Sequence, residues 1–201
     1  MQNFLHLHAP LVLASASPRR KKLLEQLGLE FRVVVSSFDE DIIPTDIAPA
    51  DYVQKLARSK ALHVAETLGE RAIIIGADTT VVLQGYILNK PRDSGDAVRM
   101  LSMLSNRVHE VYTGIAIVES AADGSIATVV SDVSKTEVRF RALSTDEIRW
   151  YVATGSPLDK AGSYGIQDDF GAVFVESIQG CYYNVVGLPL QLLYRRLQDF
   201  C

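Results

Sequence analysis

The sequence has only two cysteines among its 201 residues, Cys181 and Cys201. Their spacing matches no metal-binding motif, and two free thiols are typical of a reducing compartment. The sequence also lacks an apolar run of the roughly 20 residues that a membrane-spanning helix needs. Residues 1–8 have no basic start and no long apolar stretch, so they do not resemble a signal peptide. We therefore expect a soluble cytoplasmic protein without a membrane partner.

An excess of basic residues is missing as well, because the formal net charge is -4. A nucleic-acid polymer requires a broad basic surface that neutralises its phosphates, so this charge argues against such a partner. A small anionic ligand requires only a few local cations. The charge therefore leaves a nucleotide substrate open.

Several common catalytic motifs are also missing. The sequence contains no Gly-x-x-x-x-Gly-Lys-Ser/Thr phosphate loop, no Gly-x-Gly-x-x-Gly fingerprint and no Gly-x-Ser-x-Gly elbow. Its four histidines show no metal-binding spacing; they are His6, His8, His63 and His109. Any chemistry must therefore depend on other residues.

Hydrophobic patterning predicts a mixture of strands and helices. The predicted strands are 11–15, 31–35, 72–78, 80–83, 86–88, 108–118, 127–140 and 172–178. The predicted helices are 18–27, 49–68, 95–104, 144–153 and 188–197. Adjacent strands are joined both by helices and by tight turns, which favours an α/β or α+β fold with a twisted mixed sheet flanked by helices. We expect a single domain over residues 1–201, with two lobes around a central cleft.

The first polar cluster, Ser15-Ala16-Ser17-Pro18-Arg19-Arg20, lies where a strand ends and a helix begins. A helix start offers free N–H groups, and two arginines add forked donors, so the cluster is suited to a phosphate chain. The alternative is that both arginines lie on an exposed first turn. Arginine at a helix start opposes the helix dipole, which slightly favours a functional role.

Two further clusters are acidic. Phe38-Asp39-Glu40-Asp41 is suited to Mg²⁺, although a solvated acidic loop is the better interpretation of these residues on their own. In Gly76-Ala77-Asp78-Thr79-Thr80, Asp78 is predicted to end an apolar strand, where open α/β sheets place ligand groups. A carboxylate is costly to bury there without a partner or a metal. Asp78 is therefore a candidate metal ligand or proton acceptor, with an aspartate that caps a turn as the alternative.

Lysine and amide side chains complete the set of candidates. Lys60 and Lys90 come from separate elements and would reach the same cleft, although an exposed lysine is the commoner case. The segment 156–167 contains two glycines, which allow close approach to a ligand, and ends at Gln167. The Gln167 amide both donates and accepts hydrogen bonds, as the edge of a pyrimidine requires. A simple connecting loop is the alternative for this segment.

Seven short motifs, taken in order, resemble the Maf family of nucleotide pyrophosphatases from about Leu11 to Phe200. Each is weak alone, and their order makes them specific. They are Ala14-Ser15-Ala16-Ser17-Pro18-Arg19-Arg20, Phe38-Asp39-Glu40, Leu56-Ala57-Arg58-Ser59-Lys60-Ala61, Gly76-Ala77-Asp78-Thr79, Asn89-Lys90-Pro91, Asp159-Lys160-Ala161-Gly162-Ser163-Tyr164-Gly165-Ile166-Gln167 and Val185-Val186-Gly187-Leu188-Pro189-Leu190.

The resemblance implies hydrolysis of a nucleoside triphosphate to the monophosphate and pyrophosphate with a divalent cation, Mg²⁺ or Mn²⁺. It suggests Asp78 as the proton acceptor, and Glu40 with Asp78 as metal ligands. The sequence leaves open which acid is the base and which the ligand. Lys60 and Lys90 would be catalytic groups together with Asp78. With Arg19 and Arg20, they would neutralise the phosphates. The remaining substrate contacts would come from Ser15, Thr79 and Gln167.

The resemblance also carries expectations about specificity. Arg19, Thr79 and Gln167 match positions linked to base choice, and the ending Tyr164-Gly165-Ile166-Gln167 resembles the subgroup acting on dTTP and UTP. A role in clearing non-standard nucleotides, an inosine-triphosphatase-like fold and a homodimer are further expectations. The alternatives are the subgroup that acts on 7-methyl-GTP and a non-catalytic nucleotide sensor that regulates cell division.

Overall fold

The computed structural model describes residues 5–167 and 170–201. Within these ranges the strands are β1 (Leu11–Leu13), β2 (Arg32–Val33), β3 (Ala72–Leu83), β4 (Tyr86–Leu88), β5 (Val108–Ser120), β6 (Ile126–Phe140) and β7 (Val175–Gln179). The α-helices are α1 (Pro18–Gln26), α2 (Pro49–Leu68), α3 (Ser94–Leu104), α4 (Thr145–Ala153), α5 (Tyr182–Val186) and α6 (Leu190–Leu197). Short 3₁₀ turns cover Glu40–Ile42, Ser156–Asp159, Ala161–Ser163, Phe170–Phe174 and Gln198–Phe200.

The strands of the described chain form one seven-stranded mixed sheet in the order β2-β1-β3-β5-β6-β7, with β4 paired to β3. Strand β1 pairs in parallel with both β2 and β3. Strand β4 pairs antiparallel with β3, and β7 pairs antiparallel with β6. Helices connect the parallel strands, whereas the tight turn Gln84–Gly85, with both residues at positive φ, connects β3 to β4. The predicted mixed α/β architecture is confirmed.

The described chain divides into two compact units, and neither is one continuous stretch. Unit 1 comprises the chain up to Asp78, Thr113–Ser134 and Gly187–Cys201, and unit 2 comprises Thr79–Tyr112 and Lys135–Val186. The core of unit 1 is built from small and β-branched residues of β1, α2, β3 and β5. The core of unit 2 contains the larger aromatic side chains, among them Phe140, Tyr151 and Phe174.

The starts of α1, α3 and α4 follow the capping residues of the sequence. Ser17 accepts a hydrogen bond from the backbone of Arg20, and Asp93 caps α3 in the same way. Ser144 and Glu147 form a complete capping box at the start of α4. No helix in the described ranges has the length and apolar character needed to span a membrane. Cys181 and Cys201 are both free thiols, as expected.

Four element predictions need correction. Strand β3 continues through Asp78 to Leu83, so Asp78 does not end a strand. The strand extends this far because residues 81–83 pair with β4. Strand β2 is limited to Arg32–Val33 because it pairs only with the three-residue β1. The predicted strand 172–178 begins later, because Phe170–Phe174 forms a 3₁₀ turn. The predicted closing helix 188–197 begins at Leu190, and α5 precedes it.

Candidate active site

The centre of the candidate site is an ion pair between Lys60 on α2 and Asp78 on β3. Lys60 Nζ lies 2.6 Å from Asp78 Oδ1. Both residues are buried, with 9% and 8% of their surfaces exposed. Burying one charge alone would be very costly, so each group stabilises the charged form of the other. Both residues were predicted as catalytic groups, and the structure brings them into direct contact.

A second carboxylate approaches the same ammonium group. Glu40, the first residue of the 3₁₀ turn Glu40–Ile42, places Oε1 2.9 Å from Lys60 Nζ. Its side chain remains 46% exposed, in contrast to Asp78. The two predicted metal ligands therefore meet at one point, and Lys60 Nζ occupies that point in the structure.

Arg20 and Ser15 extend the cluster within unit 1. Arg20 Nε donates a hydrogen bond of 2.8 Å to the backbone oxygen of Gly187, and its Nη1 lies 3.4 Å from Ser15 Oγ. Ser15 Oγ also accepts from the backbone N–H of Ser17 at 3.2 Å. These contacts hold the guanidinium at the start of α1. Arg19, the next residue to the N-terminal side, is half-buried on the same helix.

The charges in this cluster act on one another. Burial raises the pKa of the Asp78 carboxyl, while the positive charges of Lys60 and Arg20 oppose the rise. Burial lowers the pKa of the Arg20 guanidinium, and the negative charge of Asp78 opposes that change. Two cations and two carboxylates, Glu40 included, are thus held within electrostatic reach. Such a concentration of coupled charges is typical of a functional site.

Close packing of α2 on β3 sets the distance between Lys60 and Asp78. A Cβ added at Gly76 would lie 2.1 Å from the backbone oxygen of Ala57 and 2.9 Å from Ala61 Cβ. Only glycine permits this approach, because the nearest atom belongs to the helix backbone. Gly76 and Asp78 are two residues apart on β3, so they face the same side of the strand. The glycine therefore determines how near α2 brings Lys60 to Asp78.

The donor set suits a hard divalent cation that also binds substrate phosphates. Mg²⁺ is usually held by one or two carboxylates together with phosphate oxygens, and Glu40 with Asp78 supplies two carboxylates. Across residues 5–167 and 170–201, no group of three or more His, Cys, Asp or Glu residues is arranged to hold a metal alone. Glu40 and Asp78 are the residues that would hold such a cation.

The other three predicted site residues belong to unit 2. Thr79 follows Asp78 on β3 and is half-buried. Lys90 follows β4 and is exposed, while Gln167 is half-buried at the end of the loop 160–167. Their expected roles in substrate binding stay predictions.

The loop 160–167 has an unusual backbone that its surroundings hold in place. Gly162 and Ser163 both have positive φ, at 65° and 64°, and Ser163 is completely buried. The Gly162 N–H donates to the backbone oxygen of Asn89, whose side chain accepts from Thr80. A buried serine in the left-handed region is strained, and such strain is concentrated at functional sites.

An anchor of this loop, the buried pair His109 and Tyr164, was not predicted from the sequence. His109 Nε2 lies 2.8 Å from the Tyr164 hydroxyl, and the Phe140 ring packs edge-on against both rings. Burial lowers the pKa of His109 to about 3, so the ring is neutral. Within the described residues, its Nδ1 has no hydrogen-bond partner. His109 and Tyr164 are 55 positions apart in the sequence, so no local pattern relates them. The sequence indicated only that His109 belongs to no metal-binding motif.

Comparison with known proteins finds related sequences along almost the whole chain. The family described as Maf-like protein matches residues 10–200. A dTTP/UTP pyrophosphatase of Clostridium perfringens is 48% identical over 189 residues, which cover 94% of this chain and 96% of the relative. Proteins with the same name from Salinibacter ruber and Bacillus cytotoxicus are 49% and 50% identical, covering 98% and 94% of this chain and 94% of each relative.

Among solved structures, the Staphylococcus aureus Ham1 protein aligns with a TM-score of 0.49 and 14% identity, covering 94% of this chain and 98% of the other. A likeness at that level supports no conclusion about function. The family match over almost the whole chain and the relatives at about half identity are decisive. This chain belongs to the Maf family.

Proposed function

We propose that this protein hydrolyses dTTP and UTP to the nucleoside monophosphate and pyrophosphate. The observation that carries the proposal is the contact of the buried Lys60 with the buried Asp78 and the exposed Glu40, with Arg20 nearby. Relatives of about half identity named dTTP/UTP pyrophosphatase support the same activity. The cluster combines cations that would bind phosphates with carboxylates that would accept a proton.

Asp78 is the group that would act on the attacking water. Burial raises the pKa of its carboxyl, which makes it a better proton acceptor than an exposed aspartate. The water would attack the α-phosphorus, its proton would pass to Asp78, and the bond from the α-phosphorus to the α,β-bridging oxygen would break. Pyrophosphate then leaves with the bridging oxygen. Lys60, Arg20 and Lys90 would neutralise the charge that accumulates on it.

Glu40 and Asp78 are the residues that would hold Mg²⁺ or Mn²⁺. When bound, the cation would lower the pKa of water and neutralise phosphate charge. Asp78 faces α2 from a buried strand, whereas Glu40 approaches from an exposed turn. We therefore propose that Asp78 accepts the proton of the water and that Glu40 acts mainly as a metal ligand.

Gln167 would recognise the pyrimidine, with Arg19 and Thr79 supporting the geometry. Its amide donates to a carbonyl and accepts from the ring N–H, and thymine and uracil share that pattern while cytosine does not. The strained backbone at Ser163, held through Gly162 and Tyr164, would fix the position of the segment that ends at Gln167. A site that pairs polar edges discriminates strongly, because the wrong base leaves buried groups unpaired.

A product assay tests the proposal directly. Purified protein with Mg²⁺ or Mn²⁺ and a panel of dTTP, UTP, CTP, GTP and 7-methyl-GTP should release pyrophosphate fastest from dTTP and UTP. Chelation should stop the release. Orthophosphate as the first product would place cleavage at the γ-phosphate and contradict the mechanism. A preference for 7-methyl-GTP would contradict the substrate assignment, and tight nucleotide binding without turnover would favour a nucleotide sensor.

A further inference from the structure

The feature that carries a further inference is the position of Lys60 Nζ. It lies 2.6 Å from Asp78 Oδ1 and 2.9 Å from Glu40 Oε1, at the point where the two expected metal ligands meet. Lys60 comes from the middle of α2, and its side chain is 11% exposed, so the surrounding protein restricts the ammonium group. A cation already occupies the place that a metal bound by both carboxylates would take.

We propose that Lys60 is an internal cation that keeps the divalent metal out of this site until a nucleotide is present. This inference rests on the proposed function, because it concerns the order in which metal and substrate enter the same site. The positive charge of Lys60 is held directly between the carboxylates of Asp78 and Glu40. A divalent cation that enters alone would have to displace this ammonium group from both carboxylates.

A nucleoside triphosphate changes that balance. Its phosphates offer Lys60 a stronger negative partner, and the flexible lysine stem allows the ammonium group to move from the carboxylates to the phosphates. Asp78 and Glu40 are then available to the cation that arrives with the phosphates. The same movement releases Asp78 Oδ1 from its hydrogen bond with Lys60.

Metal binding without nucleotide tests the inference. Mn²⁺ titrations followed by electron paramagnetic resonance, which detects free Mn²⁺, should compare wild type with Lys60→Met. Methionine keeps an apolar stem and removes the charge. We expect weak binding by wild type and at least about tenfold tighter binding by the variant, because a nearby positive charge has been removed. Lys55→Met changes an exposed lysine on the same helix and should leave the affinity unchanged.

Further variants separate the loss of the positive charge from misfolding. Lys60→Gln is neutral but polar and should also tighten Mn²⁺ binding if the methionine variant does not fold, as judged by circular dichroism. Adding Glu40→Gln to either variant should abolish the gain, because one of the two carboxylates is then lost. In wild type, a non-hydrolysable α,β-imido analogue of UTP should lower free Mn²⁺ further than the same concentration of analogue does without protein.

Two results would overturn the inference. One is Mn²⁺ affinity in both neutral Lys60 variants within about twofold of wild type. The other is tight Mn²⁺ binding by wild type without nucleotide. Neither titration involves turnover of a nucleotide, so both are independent of the pyrophosphate-release assay. Wild type that releases no pyrophosphate from any nucleotide would refute the proposed function and would not alter the metal titration.

Discussion

Gly76 offers a test of how the fold sets the chemistry. Substitution by alanine adds a methyl group 2.1 Å from the Ala57 backbone oxygen, with Ala61 Cβ at 2.9 Å and the Ala61 nitrogen at 3.0 Å. None of these atoms belongs to a flexible side chain. The clash can therefore be relieved only if α2 and β3 move apart.

The size of the effect follows from this geometry. An extra methyl group in a packed core costs about 1–3 kcal/mol, and a clash with a helix backbone belongs at the upper end of this range. We therefore expect the free energy of unfolding of Gly76→Ala to be about 3 kcal/mol lower than that of wild type. The shift would also lengthen the 2.6 Å contact between Lys60 and Asp78. A misplacement of about 1 Å at a reacting centre costs roughly 100-fold in rate, so kcat/KM for UTP should fall on that order.

Urea unfolding at pH 7 and steady-state pyrophosphate release measure the two effects. The matched control is Gly95→Ala in the exposed first turn of α3, where the new Cβ would meet only Asp93 Oδ1, the oxygen that caps this helix, at 3.2 Å. This control should change the free energy of unfolding by less than about 1 kcal/mol, because the helix preference of alanine offsets a small displacement of the capping oxygen. The reasoning fails if Gly76→Ala unfolds within about 0.5 kcal/mol of wild type and keeps its rate.

The remaining predictions concern single side chains. Asp78→Asn should lower turnover by about 100-fold or more while nucleotide affinity persists; near-wild-type turnover would eliminate Asp78 as a catalytic group. Lys90→Ala should weaken kcat/KM for all nucleotides alike, because lysine contacts phosphate as a point charge; a changed base preference would show a different role. Gln167→Ala should lower the ratio of kcat/KM for UTP to kcat/KM for CTP more than it lowers the rate with the preferred nucleotide. An unchanged ratio would show that Gln167 does not recognise the base. Burial lowers the pKa of His109 to about 3, so the unfolded chain binds a proton more readily than the folded protein, and stability should be lost as the pH falls from about 6.5 towards 3. His109→Gln, which can keep a hydrogen bond with Tyr164, should reduce this loss by up to about 1.4 kcal/mol per pH unit in urea unfolding at pH 7, 6 and 5. Equal slopes for the two proteins would contradict this expectation.

Local signals were enough for much of the fold. Ser17, Asp93 and the capping box at Ser144 marked helix starts because a cap depends on atoms within three residues of each other. The turn at Gln84–Gly85 marked the β3–β4 hairpin for the same reason. Predictions failed where a partner strand decided the outcome, as at the short β2 and at Asp78 in the middle of β3.

The order of the motifs in the sequence was sufficient to indicate the family, and the residue types indicated phosphates, a cation and a proton acceptor. Only the tertiary structure decided that Lys60 contacts Asp78 and Glu40 together, because that arrangement depends on how closely α2 packs on β3 at Gly76. Likewise, the contact of His109 with Tyr164 joins residues that no local pattern relates. The sequence determines the type of each side chain. Packing determines the partners of that side chain across the fold, and those partners determine its charge and its chemistry.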